Sequence, residues 1–204
     1  MSVTVVVTSV VSAAAPRTPQ CVLDQRHAAR RALSTCAARC GVRADRWDQE
    51  DNGVPRVQNG WHWSISHKRH LVAAALAREP VGVDVESLVP RRSGLWKHIA
   101  DADEWSVLGG PGWNAFYLLW TAKEAVLKAA GVGLAGLDAC RLMHAELRTC
   151  FTLSYGGRKW RVEHFHHADH VVAVTCNSGR ARWIVEPFKA PTSIYEETAC
   201  VRGA

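Results

Sequence analysis

An α+β (α/β) fold is predicted for this 204-residue chain by three observations: β-branched runs with a period of two, two long alanine- or leucine-rich helical stretches, and glycine or proline where one gives way to the next. Val3-Thr-Val-Val-Val-Thr8 reads as the opening strand. Residues 23–40 are rich in alanine and arginine, with arginines at 26, 30, 31 and 39, and read as a helix closed by Gly41. Asp51-Asn-Gly-Val-Pro55 is a turn. Trp61, Trp63 and Ile65 alternate with His62, Ser64 and Ser66 in a strand ending at His67, and 71–77 is a second apolar strand, so 61–77 reads as a hairpin around Lys68-Arg-His70. Pro80 precedes a strand over 81–86, Pro90-Arg-Arg-Ser-Gly94 is a loop, and a helix covers 101–108. Gly109-Gly-Pro-Gly112 breaks the chain before a long helix over 113–130, which offers Phe116, Leu119, Trp120 and Leu127 to a core and stops at Gly131. Strands follow around 149–155, 158–165 and 170–176, and beyond Pro187 a polar, loosely ordered tail is expected.

The size fits one large domain or two small ones packed together, and 48% hydrophobic with 22% charged residues is ordinary for a soluble globular protein. A net charge of +6 favours an anionic partner, which leaves nucleic acid, a phosphorylated cofactor and an acidic protein all open. The seven cysteines (21, 36, 40, 140, 150, 176 and 200) form no CxxC pair, and Cys36 and Cys40 sit four apart on a helix as small apolar residues. Reduced, structural cysteines in a cytoplasmic protein are expected. The apolar stretch 3–15 ends in Ala-Ala-Ala-Pro like a signal peptide, but it has no lysine or arginine before Arg17 and reads better as a strand. No stretch is long and apolar enough to span a bilayer.

Two clusters carry the chemistry. In Val81-Gly-Val-Asp84-Val-Glu86 the valines face one way and Asp84 and Glu86 the other. Two carboxylates on one face repel unless a cation or donor sits between them, and oxygen-only ligands suit Mg²⁺. The bland alternative is an exposed edge strand with solvated acids. In Trp120-Thr-Ala-Lys123-Glu124-Ala-Val-Leu-Lys128, Glu124 and Lys128 share a helix face with Lys123 beside them; this is either helix-surface decoration or a ligand set on a helix too apolar to be a surface rod. Ser64-Ile-Ser66-His67 puts hydroxyls and an imidazole at a strand end, where they either grip a phosphate or are merely hydrogen-bonded. It is a poor hydrolase site, because neighbours on a strand face opposite ways and no elbow glycines flank the serine. His164, His166, His167 and His170 suggest a transition metal, yet no cysteine or acid completes the set, and 167–170 reads as a turn. The basic helix 23–40 lacks the interleaved aromatics of a nucleic-acid face.

In order and spacing, Ser64-Ile-Ser-His67, Val81-Gly-Val-Asp-Val-Glu86 and Leu119-Trp-Thr-Ala-Lys-Glu-Ala-Val-Leu-Lys128-Ala-Ala-Gly-Val-Gly133 resemble the 4′-phosphopantetheinyl transferases of the longer, surfactin-synthetase-activator (Sfp) type. Asn52-Gly-Val-Pro55 and Asp103-Glu104 fit the same pattern. The resemblance implies a pseudo-dimer of two similar halves, each a small antiparallel sheet packed with helices: 1–79, then 80–190 carrying the metal-binding motifs, then the tail 191–204. It implies transfer of the phosphopantetheine arm of coenzyme A to a serine of an apo acyl or peptidyl carrier protein of fatty-acid, polyketide or nonribosomal-peptide synthesis, releasing 3′,5′-ADP. Asp84, Glu86 and Glu124 would hold Mg²⁺, with Glu86 bound directly or through water. Glu124, directly or through a metal-bound water, would accept the serine proton, and Lys123 and Lys128 would stabilise the leaving pyrophosphate charge. Ser66 and His67 would contact the coenzyme A phosphates, with Arg26 and Arg30 the best candidates for the 3′-phosphate. A monomer with an acidic carrier as partner is expected, and neither nucleic acid nor membrane. A non-catalytic coenzyme A or carrier-binding module of the same fold is the alternative.

Overall fold

The computed structural model describes residues 2–10, 12–43, 46–147 and 149–187, and the expected polar tail, 191–204, lies outside them. Strand β1 (Val3–Ser9) leads to helix α1 (Pro19–Arg39), then the hairpin strands β2 (His62–Lys68) and β3 (Leu71–Ala77) and strand β4 (Val83–Ser87). Helices α2 (Ala102–Val107) and α3 (Trp113–Ala130) follow. Strands β5 (Arg141–Glu146), β6 (Cys150–Tyr155), β7 (Arg158–His167), β8 (His170–Thr175) and β9 (Ala181–Glu186) complete the described chain, and 3₁₀ turns cover Ser93–His98 and Gly133–Gly136. The class is α+β, as expected.

Boundaries differ from the sequence reading where a cap decides. Helix α1 begins at Pro19, before the expected start at 23, because the Thr18 hydroxyl accepts from the Cys21 N–H and proline is tolerated in a first turn. Asp101 is not helical but caps α2, its carboxylate accepting from the Glu104 N–H in a capping box. Helix α3 ends on Gly131, whose φ of 71° is left-handed.

Two strands were not expected. β5 is an edge strand in which three of six residues are exposed, and a bulge between Leu142 and His144 breaks the alternation. β9 comes late in the sequence yet pairs parallel to β1, Val3 opposite Ala181 through Thr8 opposite Glu186. The first sheet is therefore ordered β2-β3-β1-β9, with one parallel pair, and the second β4-β8-β7-β6-β5, wholly antiparallel.

The core has three apolar layers between four tiers. α1 packs Ala28, Ala32, Leu33 and Cys36 onto Val6, Trp63, Val72, Ala74 and Leu76 of the first sheet. The opposite face of that sheet, Val5, Val7, Ala73 and Ala75, meets Val83, Val85, Val172 and Val174 of the second. α3 then covers the far face of the second sheet through Leu118, Leu119, Ala122 and Val126 against Phe151, Leu153, Val162 and Ala173. α3 can lie this close to the chain entering β4 only because residue 82 is glycine: a Cβ there would stand 1.9 Å from the Ala125 carbonyl oxygen. Among the described residues no helix is long and apolar enough to cross a membrane, and Cys21, Cys36, Cys40, Cys140, Cys150 and Cys176 are free.

Candidate active site

The valines of β4 enter the core between the sheets, as the alternation predicts, but its acids are not solvated. Asp84 is 6% and Glu86 8% exposed. They are covered from both directions, by β2 of the first sheet and by α3.

On β2, residues 64, 66 and 68 share the face turned towards β4. The Ser64 hydroxyl accepts from the Val83 N–H at 3.1 Å and the Ser66 hydroxyl from the Val85 N–H at 3.3 Å. These are outward N–H groups of an edge strand, so the serines supply the acceptors that a neighbouring strand would otherwise provide. Ser66 also donates to Asp84 Oδ1 at 2.9 Å. Lys68 closes the row with its Nζ 2.7 Å from Glu86 Oε1. The two sheets are thus joined along β2 and β4 by a ladder of side chains.

α3 adds the second wall. Lys128 Nζ donates to Asp84 Oδ1 at 2.7 Å, to the Val83 carbonyl at 3.1 Å and to Ser66 Oγ at 3.2 Å. Those contacts use all three ammonium hydrogens, and with its own donor and two accepted bonds Ser66 is saturated too. Ser66 therefore holds Asp84 in place and has no bond left for a phosphate. Glu124, one turn before Lys128, is half-buried; burial first, then the carboxylates of Asp84 and Glu86, push its carboxyl up, while Lys128 and Lys68 oppose the shift.

Among the described residues no three His, Cys, Asp or Glu side chains already enclose a metal position. The donor set still suits a hard divalent cation. Asp84 Oδ2 and Glu86 Oε2 are buried and accept no hydrogen bond, although Arg91 lies 3.7 Å from Glu86 Oε2. Buried carboxylate oxygens of this kind are costly without positive charge nearby, and Lys128 and Lys68 supply part of it.

Other expected site residues lie elsewhere. Lys123 is not brought to the group: its ammonium is buried, 2.8 Å from Glu104 Oε1 and donating to the Ile99 carbonyl at 2.6 Å. The cause is helix geometry, since successive residues diverge by about 100° and only the spacing 124/128 returns to one face. Arg30 is occupied as well, bonding the Trp47 carbonyl at 2.5 Å and Gln49 Oε1 at 3.1 Å and lying over the Trp63 ring. His67 points to the α1 side of β2, where its Nδ1 meets Gln25 Oε1 at 3.0 Å. Burial, then the positive charges of Arg26, Lys128 and Lys68, lower its pKa, so exposed Arg26 lies within electrostatic reach of His67.

Two of the four histidines have structural contacts. His164 is buried beneath α3 with Nε2 2.9 Å from the Leu118 carbonyl, and His170 bonds Asp169 and Ser87. Sequence reasoning missed Lys68, Gln25 and Glu104 as partners. Lys68 was legible in principle, two residues past Ser66 on the same face, but ending the strand at His67 hid it.

A cavity of about 330 Å³ opens beside the ladder. It lies between the turn carrying Asn52, Gly53 and Pro55, the strand residues Ser64 and Ile65, and the end of α3 with Lys128 and Gly131. Lys128 thus touches both Asp84 and the open space. The arrangement can neutralise a polyanion, hold a divalent cation on carboxylates and accept a proton at Glu124.

Residues 80–175 match the family model described as the 4′-phosphopantetheinyl transferase superfamily. Similar curated proteins include 4′-phosphopantetheinyl transferase ffp of Bacillus subtilis, 34% identical over 86 residues (40% of this chain, 38% of the relative). Another is 4′-phosphopantetheinyl transferase psf-1 of Bacillus pumilus, 32% identical over 95 residues (44% and 41%). Enterobactin synthase component D of Salmonella typhi is 30% identical over 138 residues (61% and 59%). The matched region spans about two fifths of the first two of these relatives (38% and 41%). The family-model region contains β4, α3 and the three carboxylates, and over it the chain is similar to the 4′-phosphopantetheinyl transferase superfamily.

Proposed function

We propose that this chain transfers the 4′-phosphopantetheine arm of coenzyme A to a serine of an apo acyl or peptidyl carrier protein, leaving 3′,5′-ADP. The observation that carries the reading is Lys128, which bonds the buried Asp84 carboxylate on one side and lines the cavity beside the ladder on the other. A pyrophosphate entering that cavity meets an ammonium next to carboxylates, the setting in which phosphoryl transfer is stabilised electrostatically.

The residues divide the work by place. Asp84, Glu124 and, directly or through water, Glu86 would hold Mg²⁺, which when bound neutralises pyrophosphate charge. Glu124, directly or through a water, accepts the proton of the carrier serine as its oxygen attacks the β-phosphorus. The bond from that phosphorus to the bridging oxygen breaks, and Lys128, its three hydrogens already engaged, stabilises the charge left on 3′,5′-ADP through its positive charge rather than by a new hydrogen bond. Arg26 supplies the positive charge that meets the remaining coenzyme A phosphates, with the imidazole of His67 beside it as a hydrogen-bonding group. Ser66 orients Asp84, Lys123 fixes α3 through Glu104, and Arg30 holds the 47–49 segment; we give none of these three a direct part in the transfer.

The wider reading is a cytoplasmic monomer built as a pseudo-dimer of two halves. Its net charge of +6 suits an acidic carrier of fatty-acid, polyketide or nonribosomal-peptide synthesis. The test incubates the protein with coenzyme A, Mg²⁺ and a panel of apo carriers and weighs the carriers by mass spectrometry. A gain of one phosphopantetheine on at least one carrier is expected. Coenzyme A binding with no carrier modified would sink the transferase reading in favour of a binding module.

A further inference from the structure

We infer that Arg30 is a positioning residue of the cavity beside the ladder: it touches no phosphate, but through Trp47 and Gln49 it fixes where the 49–55 turn stands against the end of α3. This rests on the coenzyme A reading above and concerns what holds the wall of its pocket.

The turn has a shape of its own. The Glu50 N–H donates to the Val54 carbonyl at 2.8 Å, the Gly53 N–H to the Glu50 carbonyl at 2.8 Å and the Val54 N–H to Asn52 Oδ1 at 3.0 Å. Gln49 and Pro55 pair as an antiparallel bridge. None of these bonds leaves the turn, so its place against the body of the molecule depends on ties from outside. Arg30 of α1 supplies one: Nη1 donates to the Trp47 carbonyl at 2.5 Å and Nη2 to Gln49 Oε1 at 3.1 Å. With its oxygen so engaged, the Gln49 amide donates from Nε2 across the turn to the Gly53 carbonyl at 2.7 Å. Trp63 supplies another. Its Nε1 donates to the Arg56 carbonyl at 3.0 Å, and its ring lies under the Arg30 guanidinium and edge-on to Trp47. On the far side Val54 rests on the end of α3, where a Cβ at Gly131 would stand 3.3 Å from Val54 Cγ1.

A chain of contacts thus runs from α1 through Arg30, Gln49 and Gly53 to the cavity, which Gln49 and Gly53 line together with Lys128. Arg30 itself is absent from the cavity's described lining. The arrangement calls for the planar fork of an arginine. A lysine carries the same charge but cannot bond Trp47 and Gln49 from a flat group lying on an indole. A wall held in advance spares the ligand the cost of ordering it. Without the fork the turn is free to drift from Gly131, and the loss is felt as weaker binding of coenzyme A.

The test is titration calorimetry of the protein with coenzyme A and with dephospho-coenzyme A, which lacks the 3′-phosphate. Arg30→Met and Arg30→Lys are each expected to weaken binding by about five- to tenfold, with the two ligands affected alike. In the transfer assay the KM for coenzyme A rises by a similar factor and the KM for the apo carrier does not move. A penalty that disappears with dephospho-coenzyme A would make Arg30 a phosphate contact and overturn the inference. Coenzyme A bound as tightly as by the parent, in either variant, overturns it too. A parent protein that binds no coenzyme A removes the reading of the pocket and the inference with it. Circular dichroism confirms folding, and Arg30→Lys, which keeps the charge, carries the test if Arg30→Met does not fold.

Discussion

Ser66 spends one oxygen on three neighbours: it donates to Asp84 and accepts from the Val85 amide and from Lys128. Removing it strands a buried N–H and loosens the carboxylate that the proposed chemistry depends on. Ser66→Ala is expected to cost about 1–3 kcal/mol of stability, read by chemical denaturation. It should lower transfer to the carrier well beyond what that loss of folded protein explains. Asp84→Asn should abolish transfer with an unchanged melting curve; retained activity would remove Asp84 from the mechanism. At this scale the sequence was informative about residue types and poor about partners. Asp84, Glu124 and Lys128 were legible because a period of two and a spacing of four place them on definite faces. That Ser66 serves Asp84, and that Glu86 belongs to Lys68, depends on how two sheets meet, which no local pattern encodes.

Helix α3 shows what an element adds. It sends Glu124 and Lys128 to the ladder and Lys123 the other way, into a buried pair with Glu104, whose Oε1 also accepts from the Leu142 N–H at 2.8 Å. The adjacent letters Lys-Glu look like one functional group, and the helix separates them. Lys123→Met should therefore destabilise the fold by about 1–3 kcal/mol, since Glu104 loses its buried ammonium but keeps the Arg141 guanidinium 3.4 Å away, and Lys123→Met/Glu104→Leu should recover only part of that loss because it also removes the acceptor of the Leu142 N–H. Thermal melts of the single and double variants test this.

The same helix is tied to β7 by His164, whose pKa full burial lowers to about 4. At pH values between that and its ordinary value of 6.5 the unfolded chain carries a proton that the folded chain does not. Stability from this residue is thus fully present above the unfolded pKa and is lost as pH falls towards 4. Its full size is on the order of 3 kcal/mol. Denaturant midpoints measured across this range should fall steeply with acid in the parent chain and less in His164→Phe. The long helix and the β2–β3 hairpin were readable from period and punctuation. β5 and β9 were not, because an edge strand with a bulge and a strand that pairs far back in the chain lack a clean alternation.

Taken whole, the molecule is α1, two sheets and α3 in successive layers, and the last described strand returns to the first sheet. Trp183 of β9 stacks on Phe165 of β7 with ring centroids 5.1 Å apart, so this strand also clasps the second sheet. A chain ending at Gly179 should melt at least about 5 °C below one ending at Pro187, since it exposes the open edge of β1 and the face of Phe165. Calorimetry on the two truncations measures the difference.

The side-chain ladder has a consequence for how competence is acquired. All three carboxylates sit on the later part of the chain, yet their arrangement is completed by Ser64, Ser66 and Lys68 from the earlier part. A chain with its second sheet formed and its first still unfolded would carry the acids without the donors that space them. It would be sticky towards cations and unable to aim them. The proposed activity would therefore require the two sheets to be docked, since neither part of the chain carries the whole arrangement alone.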